Sequence, residues 1–359
     1  MREQQSGGDR GAADGRRRDK RPTMADVAAR VGVSRALVSL VFRNEPGASQ
    51  ETRARVFQAA AELGYRPDSA AQMLARSHSK VLGVAATVRN PFHADLVEAI
   101  HPVAERLGYD VLLSVTAPTR DEVKAVEALL SHRCEGLILL GPNTEPEYIA
   151  DLGRRIPVVV VGRRFPGRGV DSVHTAEAKG VRQVIDHLVE LGHRSIVHVD
   201  GGRQPGSVER RRAYQSAMRR HGLAGEIRVL PGDHTEESGV QAAETLLAEP
   251  RLPTAVLAGN DRCALGLLDA LRRAKVDIPG QVSVAGYDDS HIAHLSYVDL
   301  TTVRQDPDRL AELAVRTVVE RLGGADLPAR EQVLEPKLVV RGTTGPPPGR
   351  AEEAAGAGG

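Results

Sequence analysis

The sequence predicts a small all-α head followed by an α/β body of two Rossmann-like lobes with a cleft between them. Three short helical patterns crowd residues 23 to 63. From residue 81 onward, apolar β-rich runs alternate with longer amphipathic stretches, the pattern of parallel strands covered on both faces. Charge divides the chain at the same place. Residues 1 to 80 carry 15 Lys plus Arg against 9 Asp plus Glu, about +6, leaving 33 against 38, about −5, for the rest. A basic head on a neutral-to-acidic body is the footprint of a nucleic-acid-binding unit attached to a domain with another task; a solubilising tail is the plainer alternative.

The 359 residues exceed the usual limit for one hydrophobic core. Hydrophobic residues make up 41%, but with no Trp, 4 Phe and 6 Tyr the cores must be mostly aliphatic. No apolar run approaches the roughly 20 residues that span a bilayer, and the charged start lacks an apolar h-region, so neither membrane insertion nor export is expected. Cys134 and Cys263 lie far apart without metal-ligand or CxxC spacing, which suits a reducing cytoplasm. Residues 1–21 and 343–359 are poor in core formers and are expected to be disordered tails.

In the head, Thr23 is placed to cap a first helix over MADVAARV, with Asp26 adding favourable negative charge in its first turn. Val27, Ala28 and Val31 share one face. Gly32 breaks the helix and Ser34 caps a second, RALVSLVF, an arrangement of the helix-turn-helix kind. Leu37, Val38 and Val41 are expected to face the first helix. Arg35, Ala36, Ser39, Leu40 and Arg43 recur on the opposite face, suited to the major groove, where Arg35 can pair with guanine and Ala36 and Leu40 can touch thymine methyls. The alternative is a helical hairpin with a solvated face, against which an exposed Leu40 counts. A third helix runs from the Ser49 cap to a Gly64 stop and closes the core with Val56, Ala59, Ala60 and Leu63. Thr23 and Ser34 are grouped with the five outward residues as DNA-binding candidates.

In the body, strands are expected at 81–87, 110–115, 136–140, 157–161, 195–199, 254–259 and 282–286. About 260 residues of such units fit two lobes better than one sheet. Ligands of open α/β lobes collect beyond the carboxyl ends of strands, which directs attention to the residues that follow each run.

TMADVAARVGVSRALVSLVFRN, followed by ETRARVFQAAAELGYRPDSAAQMLARSHSKVLGV, resembles the head and hinge of the LacI/GalR family of bacterial transcriptional regulators. The resemblance continues through PFHADLVEAI, EGLILLGP, IPVVVVGR, LAGNDRCALGLLDAL, DIPGQVSVAGYDD and LTTVRQD, covering roughly residues 22 to 342. It implies a helix-turn-helix domain over 22–66, a hinge helix over 67–79, and a two-lobed effector-binding and dimerisation domain over 80–342, similar to periplasmic sugar-binding proteins. It also implies a homodimer on a palindromic operator. Leu74 sits where the family inserts a leucine wedge into the minor groove, a step that unstacks bases in exchange for contact area; plain interhelical packing is the alternative.

For the cleft, the resemblance implies effector-binding roles for Phe92 and His93, and for Arg210, aligned by Ala213 and Tyr214 with Ala213 in place of the family's glycine. It implies the same for Asn260 and Asp288. His234 falls where relatives place an aromatic stacking group, and an exposed loop histidine is the other reading. The implied effector is a small hydroxylated ligand, of the sugar class in that family, bound without cofactor. Asp261 and Asp289 are read as helix caps, and His291 and His294 as a surface turn without a third metal ligand. No Walker A run, GxGxxG after a strand, GxSxG or HExxH occurs, so catalysis is not expected. A transporter's solute-binding protein would share the body but is expected to carry a signal peptide in place of the basic head.

Overall fold

The computed structural model describes residues 22–66, 78–165, 169–324 and 328–348. They fall into two compact units that divide between His78 and Ser79. The head contains α1 (Met24–Val31), α2 (Arg35–Phe42) and α3 (Gln50–Leu63). Thr23 and Asp26 form a reciprocal capping box, Ser34 and Ser49 cap the next two helices, and Gly32 ends α1 in the left-handed conformation at φ 77°. Val27, Ala28, Val31, Val38, Val41, Val56, Ala59 and Ala60 form the core. Burying a valine such as Val38 or Val56 contributes roughly 1.5–3 kcal/mol. Leu37, expected to point inward, is half-buried, because Val38 and Val41 already fill the space toward α1 and α3.

In the body the chain runs through β1 (Val81–Thr87), α4 (Pro91–Arg106), β2 (Asp110–Thr116), α5 (Glu122–Ser131), β3 (Gly136–Leu140), α6 (Pro146–Arg155), β4 (Val158–Val161) and β5 (Val170–Thr175). It then crosses to a second lobe with α7 (Glu177–Leu191), β6 (Ile196–Val199), α8 (Ser207–Arg220), β7 (Arg228–Leu230), α9 (Glu236–Leu247), β8 (Ala255–Ala258), α10 (Asp261–Arg273), β9 (Ser283–Ala285) and β10 (Thr302–Arg304). It returns for α11 (Pro307–Leu322) and β11 (Glu331–Leu334), and crosses once more to β12 (Lys337–Val339).

The first lobe holds a parallel six-stranded sheet, ordered β11-β5-β4-β3-β1-β2; the second holds a parallel four-stranded sheet, β7-β6-β8-β9, beside an antiparallel β10-β12 ribbon. Central strands such as GLILL and VVVV are buried at every residue, whereas the edges β2 and β11 are part-exposed. The sequence predicted the edge β2 from its apolar run DVLLSV, and missed the edge β11, EQVL, whose run is polar. β4 starts after Pro157, which has no N–H to give a ladder. β5, VDSVHT, escaped because polar Asp171 and His174 interrupt its apolar run, although Asp171 is buried against Arg321 and the Arg330 N–H. Residues 343–348, read as part of a tail, pack on the second lobe. Val284 N–H donates to the Thr343 carbonyl at 2.8 Å, and the His193 imidazole meets the Gly345 carbonyl at 2.8 Å.

Candidate functional site

In the head, α2 presents Arg35, Ala36 and Arg43 to solvent, while Ser39 and Leu40 are half-buried. The expectation of an exposed Leu40 is corrected. Its Cδ1 lies 3.1 Å from where a Gly47 Cβ would stand, so the 44–49 turn covers its tip. Thr23 and Ser34 hold helix ends: Ser34 Oγ accepts the Leu37 N–H at 3.1 Å, and the Thr23 hydroxyl donates to Asp26 Oδ2 at 2.7 Å. Arg43 pairs with Glu45 at 3.0 Å, which leaves Arg35 as the outward cation of α2 with no partner among the described residues. Leu74 and the hinge stretch 67–77 lie outside the described residues.

In the body, a cavity of about 610 Å³ opens between the two lobes. Phe92, His93, Arg210, His234, Asn260 and Asp288 all line it. The first two come from the first lobe, at the N-terminus of α4, which Asn90 caps by accepting the Phe92 N–H at 3.1 Å. His93 Nδ1 accepts the Thr87 N–H at 3.0 Å, so its remaining N–H is on Nε2. Burial lowers its pKa to about 4, so the ring is a neutral donor.

Three consecutive arginines open the inner face of α8, and only Arg210 turns fully inward. Arg211 pairs with Asp200, and Arg212 is exposed. Arg210 Nε donates to Glu177 Oε2 at 2.7 Å and a terminal nitrogen to Glu177 Oε1 at 3.3 Å. The other terminal nitrogen donates to the Gly259 carbonyl at 2.6 Å, and the guanidinium stacks 3.8 Å from the Tyr287 ring centroid. Burial works against its charge, but the Glu177 and Asp288 carboxylates overcome that and raise its pKa. Arg210 is therefore fixed in place before any ligand arrives.

Asn260 caps α10, its Oδ1 accepting the Cys263 N–H at 2.9 Å, which leaves the amide N–H groups for the cavity. The reading of Asp261 as the cap is corrected: Asp261 accepts from Ser290 N–H at 2.8 Å, Ser290 Oγ at 3.0 Å and Thr302 Oγ1, tying α10 to the β10 crossover. Burial raises its pKa to about 7, against these hydrogen bonds. Asp289 likewise caps nothing and pairs with Arg341 at 2.6 Å. Asp288, at φ 125°, accepts Gln305 Nε2 at 2.7 Å; burial holds its carboxyl well above the usual range, with Arg210 opposing and Asp261 adding.

His234 is a half-buried cavity residue. Its ring occupies a seat that two glycines leave open: a Cβ on Gly201 would come within 2.0 Å of Nε2, and one on Gly259 within 2.8 Å of Cδ2. Burial keeps it neutral, its pKa well below the ordinary value. Gln305, missed from the sequence because β10 is only three residues long, also lines the cavity, and its buried Oε1 has no partner among the described residues. Across the cleft, among the described residues, Asn143 Nδ2 donates to Gln204 Oε1 at 2.9 Å, and Asp95 accepts the His291 N–H at 3.1 Å and lies 2.8 Å from His291 Nδ1. His291 and His294 thus turn to different carboxylates, Asp95 and Asp289. Among the described residues, no cluster of three or more His, Cys, Asp or Glu is placed to hold a metal, and no helix is long and apolar enough to cross a membrane.

The architecture has known counterparts. Residues 23–68 match the model for bacterial regulatory proteins of the lacI family, and residues 185–344 match a periplasmic binding protein-like domain. The ribose operon repressor of Escherichia coli K12 is 31% identical, over 89% of this chain and 99% of its own. A LacI transcriptional regulator from a Rhodococcus species is 45% identical, covering 74% of this chain and 98% of its own at a TM-score of 0.72. The lac repressor dimer bound to operator and the anti-inducer ONPF is 30% identical, covering 91% of this chain and 100% of its own at a TM-score of 0.76. With a capped three-helix head and a two-lobed body both matched along their length, the chain belongs to the LacI family of DNA-binding transcriptional regulators.

Proposed function

We propose that the protein is a homodimeric transcriptional repressor whose affinity for a palindromic operator is set by a small hydroxylated ligand, of the sugar class, bound between its two lobes. The observation that carries this reading is the convergence of Phe92, His93, Arg210, His234, Asn260 and Asp288, drawn from both lobes, on one cavity of about 610 Å³. Amide, imidazole and carboxyl groups at strand ends suit hydroxyl recognition. A ligand that touches both lobes binds their closed arrangement better than an open one and so shifts the population. The lac repressor, solved with operator and anti-inducer together, supports the same division of labour. On this reading Arg35, Ala36, Ser39, Leu40 and Arg43 face the major groove, Thr23 and Ser34 lie at helix N-termini suited to backbone phosphates, and Leu74 wedges the minor groove.

The test is selection of genomic fragments by the purified protein at fixed, near-physiological salt, since phosphate contacts dominate at low salt. An enriched palindrome supports the head and the dimer together; uniform, salt-sensitive retention with and without candidate sugars refutes them. Leu74→Ala is expected to keep the fold and weak nonspecific binding but lose operator preference, and equal operator affinity in variant and parent would remove the wedge. Ligand and operator must affect each other's affinity by the same factor.

A further inference from the structure

The cavity's two walls differ in which charges they leave uncommitted, and this bears on the class of ligand, given that the cavity is the effector site. On the second-lobe wall the cations are engaged: Arg210 by Glu177 and the Gly259 carbonyl, Arg262 by Glu236. On the first-lobe wall it is the anions that are engaged. Asp121 Oδ1 accepts the Lys124 N–H at 2.8 Å and its Oδ2 lies 3.6 Å from the Lys124 ammonium. Glu122 Oε2 accepts the N–H groups of Asn143 and Thr144 at 2.8 and 3.0 Å.

The first-lobe cations make no hydrogen bond to an anion, although the neighbouring Asp121 carboxylate feels the Arg120 charge. Arg120, half-buried, donates only to neutral oxygens, Ser114 Oγ at 3.1 Å and the Lys124 carbonyl at 3.4 Å. Arg89, at the rim, has no hydrogen bond or ion pair among the described residues. The His93 Nε2–H lies on the same wall, 3.1 Å from where a Gly141 Cβ would stand, and the Thr87 and Thr116 hydroxyls, 3.1 Å apart, complete it. The second lobe lines the same cavity with Gln305 and the carboxyls of Asp233, Glu237 and Asp288. We propose that the effector carries an anionic group, a phosphate or a carboxylate, held by the guanidinium forks of Arg120 and Arg89, while its hydroxyls meet Asn260, Asp288 and Gln305.

The test is calorimetric titration of the full-length protein with a matched panel: ribose, glucose and cellobiose against ribose 5-phosphate, glucose 6-phosphate and gluconate. An anionic member is expected to bind best, with phosphate and carboxylate distinguished by the last two probes. Arg120→Gln and Arg89→Ala are each expected to weaken that ligand about tenfold, the loss of one charge-assisted contact, without moving the melting temperature. Binding of neutral sugars only, or anion binding that both variants keep in full, overturns the anionic class while leaving the effector reading intact. A panel in which nothing binds sinks the anionic class and counts against the effector reading as well.

Discussion

The two lobes line one cavity but build their walls differently. In the second lobe the wall's polar side chains are held by their neighbours: Arg210 by Glu177 and the Gly259 carbonyl, Asp288 by Gln305. In the first lobe Arg120 rests on neutral groups and Arg89 is free of them. A locked wall is rigid and preorganised, and breaking it costs folding free energy; a wall with spare donors can change its affinity for a ligand with little cost in stability. The contrast teaches that the buried charges of this cavity are paired, while the charges left without an ion pair stand where solvent still reaches them.

The largest effect should come from the locked wall. Arg210→Ala strands the Glu177 carboxylate in a buried site and is expected to cost about 3–5 kcal/mol in urea unfolding; a loss under 1 kcal/mol would mean the wall is not locked. Gly201→Ala drives a Cβ into the His234 ring and is expected to cost about 1–3 kcal/mol and displace the imidazole, checked by the His234 NMR resonance.

Titration sharpens the comparison, because one buried group from each lobe, His93 and Asp261, should respond to pH with opposite signs. His93, with its folded pKa lowered to about 4, contributes stability that is fully present above the unfolded value near 6.5 and is lost as pH falls toward 4. Asp261, raised to about 7, contributes most below pH 4 and loses its contribution as pH rises through 7. Unfolding free energies measured across this range should show His93→Gln flattening the acid-side loss and Asp261→Asn flattening the neutral-side loss; slopes unchanged in both variants would break the contrast. The smallest effects belong to the exposed Asn143 and the half-buried Arg120. Asn143→Ala removes one cleft-crossing hydrogen bond and should cost about 0.5–1 kcal/mol, while Arg120→Gln should stay within about 0.5 kcal/mol of the parent by the same unfolding assay.

Much of this was legible from residue order. The head's boundaries were written in Thr23, Gly32, Ser34, Ser49 and Gly64, because caps and left-handed stops act within one turn of chain. Buried strands such as β3 and β4 declared themselves because a parallel strand covered on both faces tends to be a continuous apolar run. β5, β7, β10, β11 and β12 did not, since three- and four-residue or polar-interrupted strands carry no full apolar run and Asp171 needed Arg321 to become buried. The site residues were found by their resemblance to the family's motifs at strand ends, and Gln305 was missed with the three-residue strand before it.

What the sequence determined by itself was local and periodic: where helices start, which strands are central, and which residues stand at strand ends. Only the tertiary structure decided partnership. It chose Arg210 over its two neighbours by setting Glu177, distant in sequence, opposite its fork. It made Asn260 the cap and Asp261 the tie, and it seated His234 in the gap left by Gly201 and Gly259. The physical reason is that capping and periodicity depend on neighbours along the chain, while burial and charge pairing depend on neighbours in space.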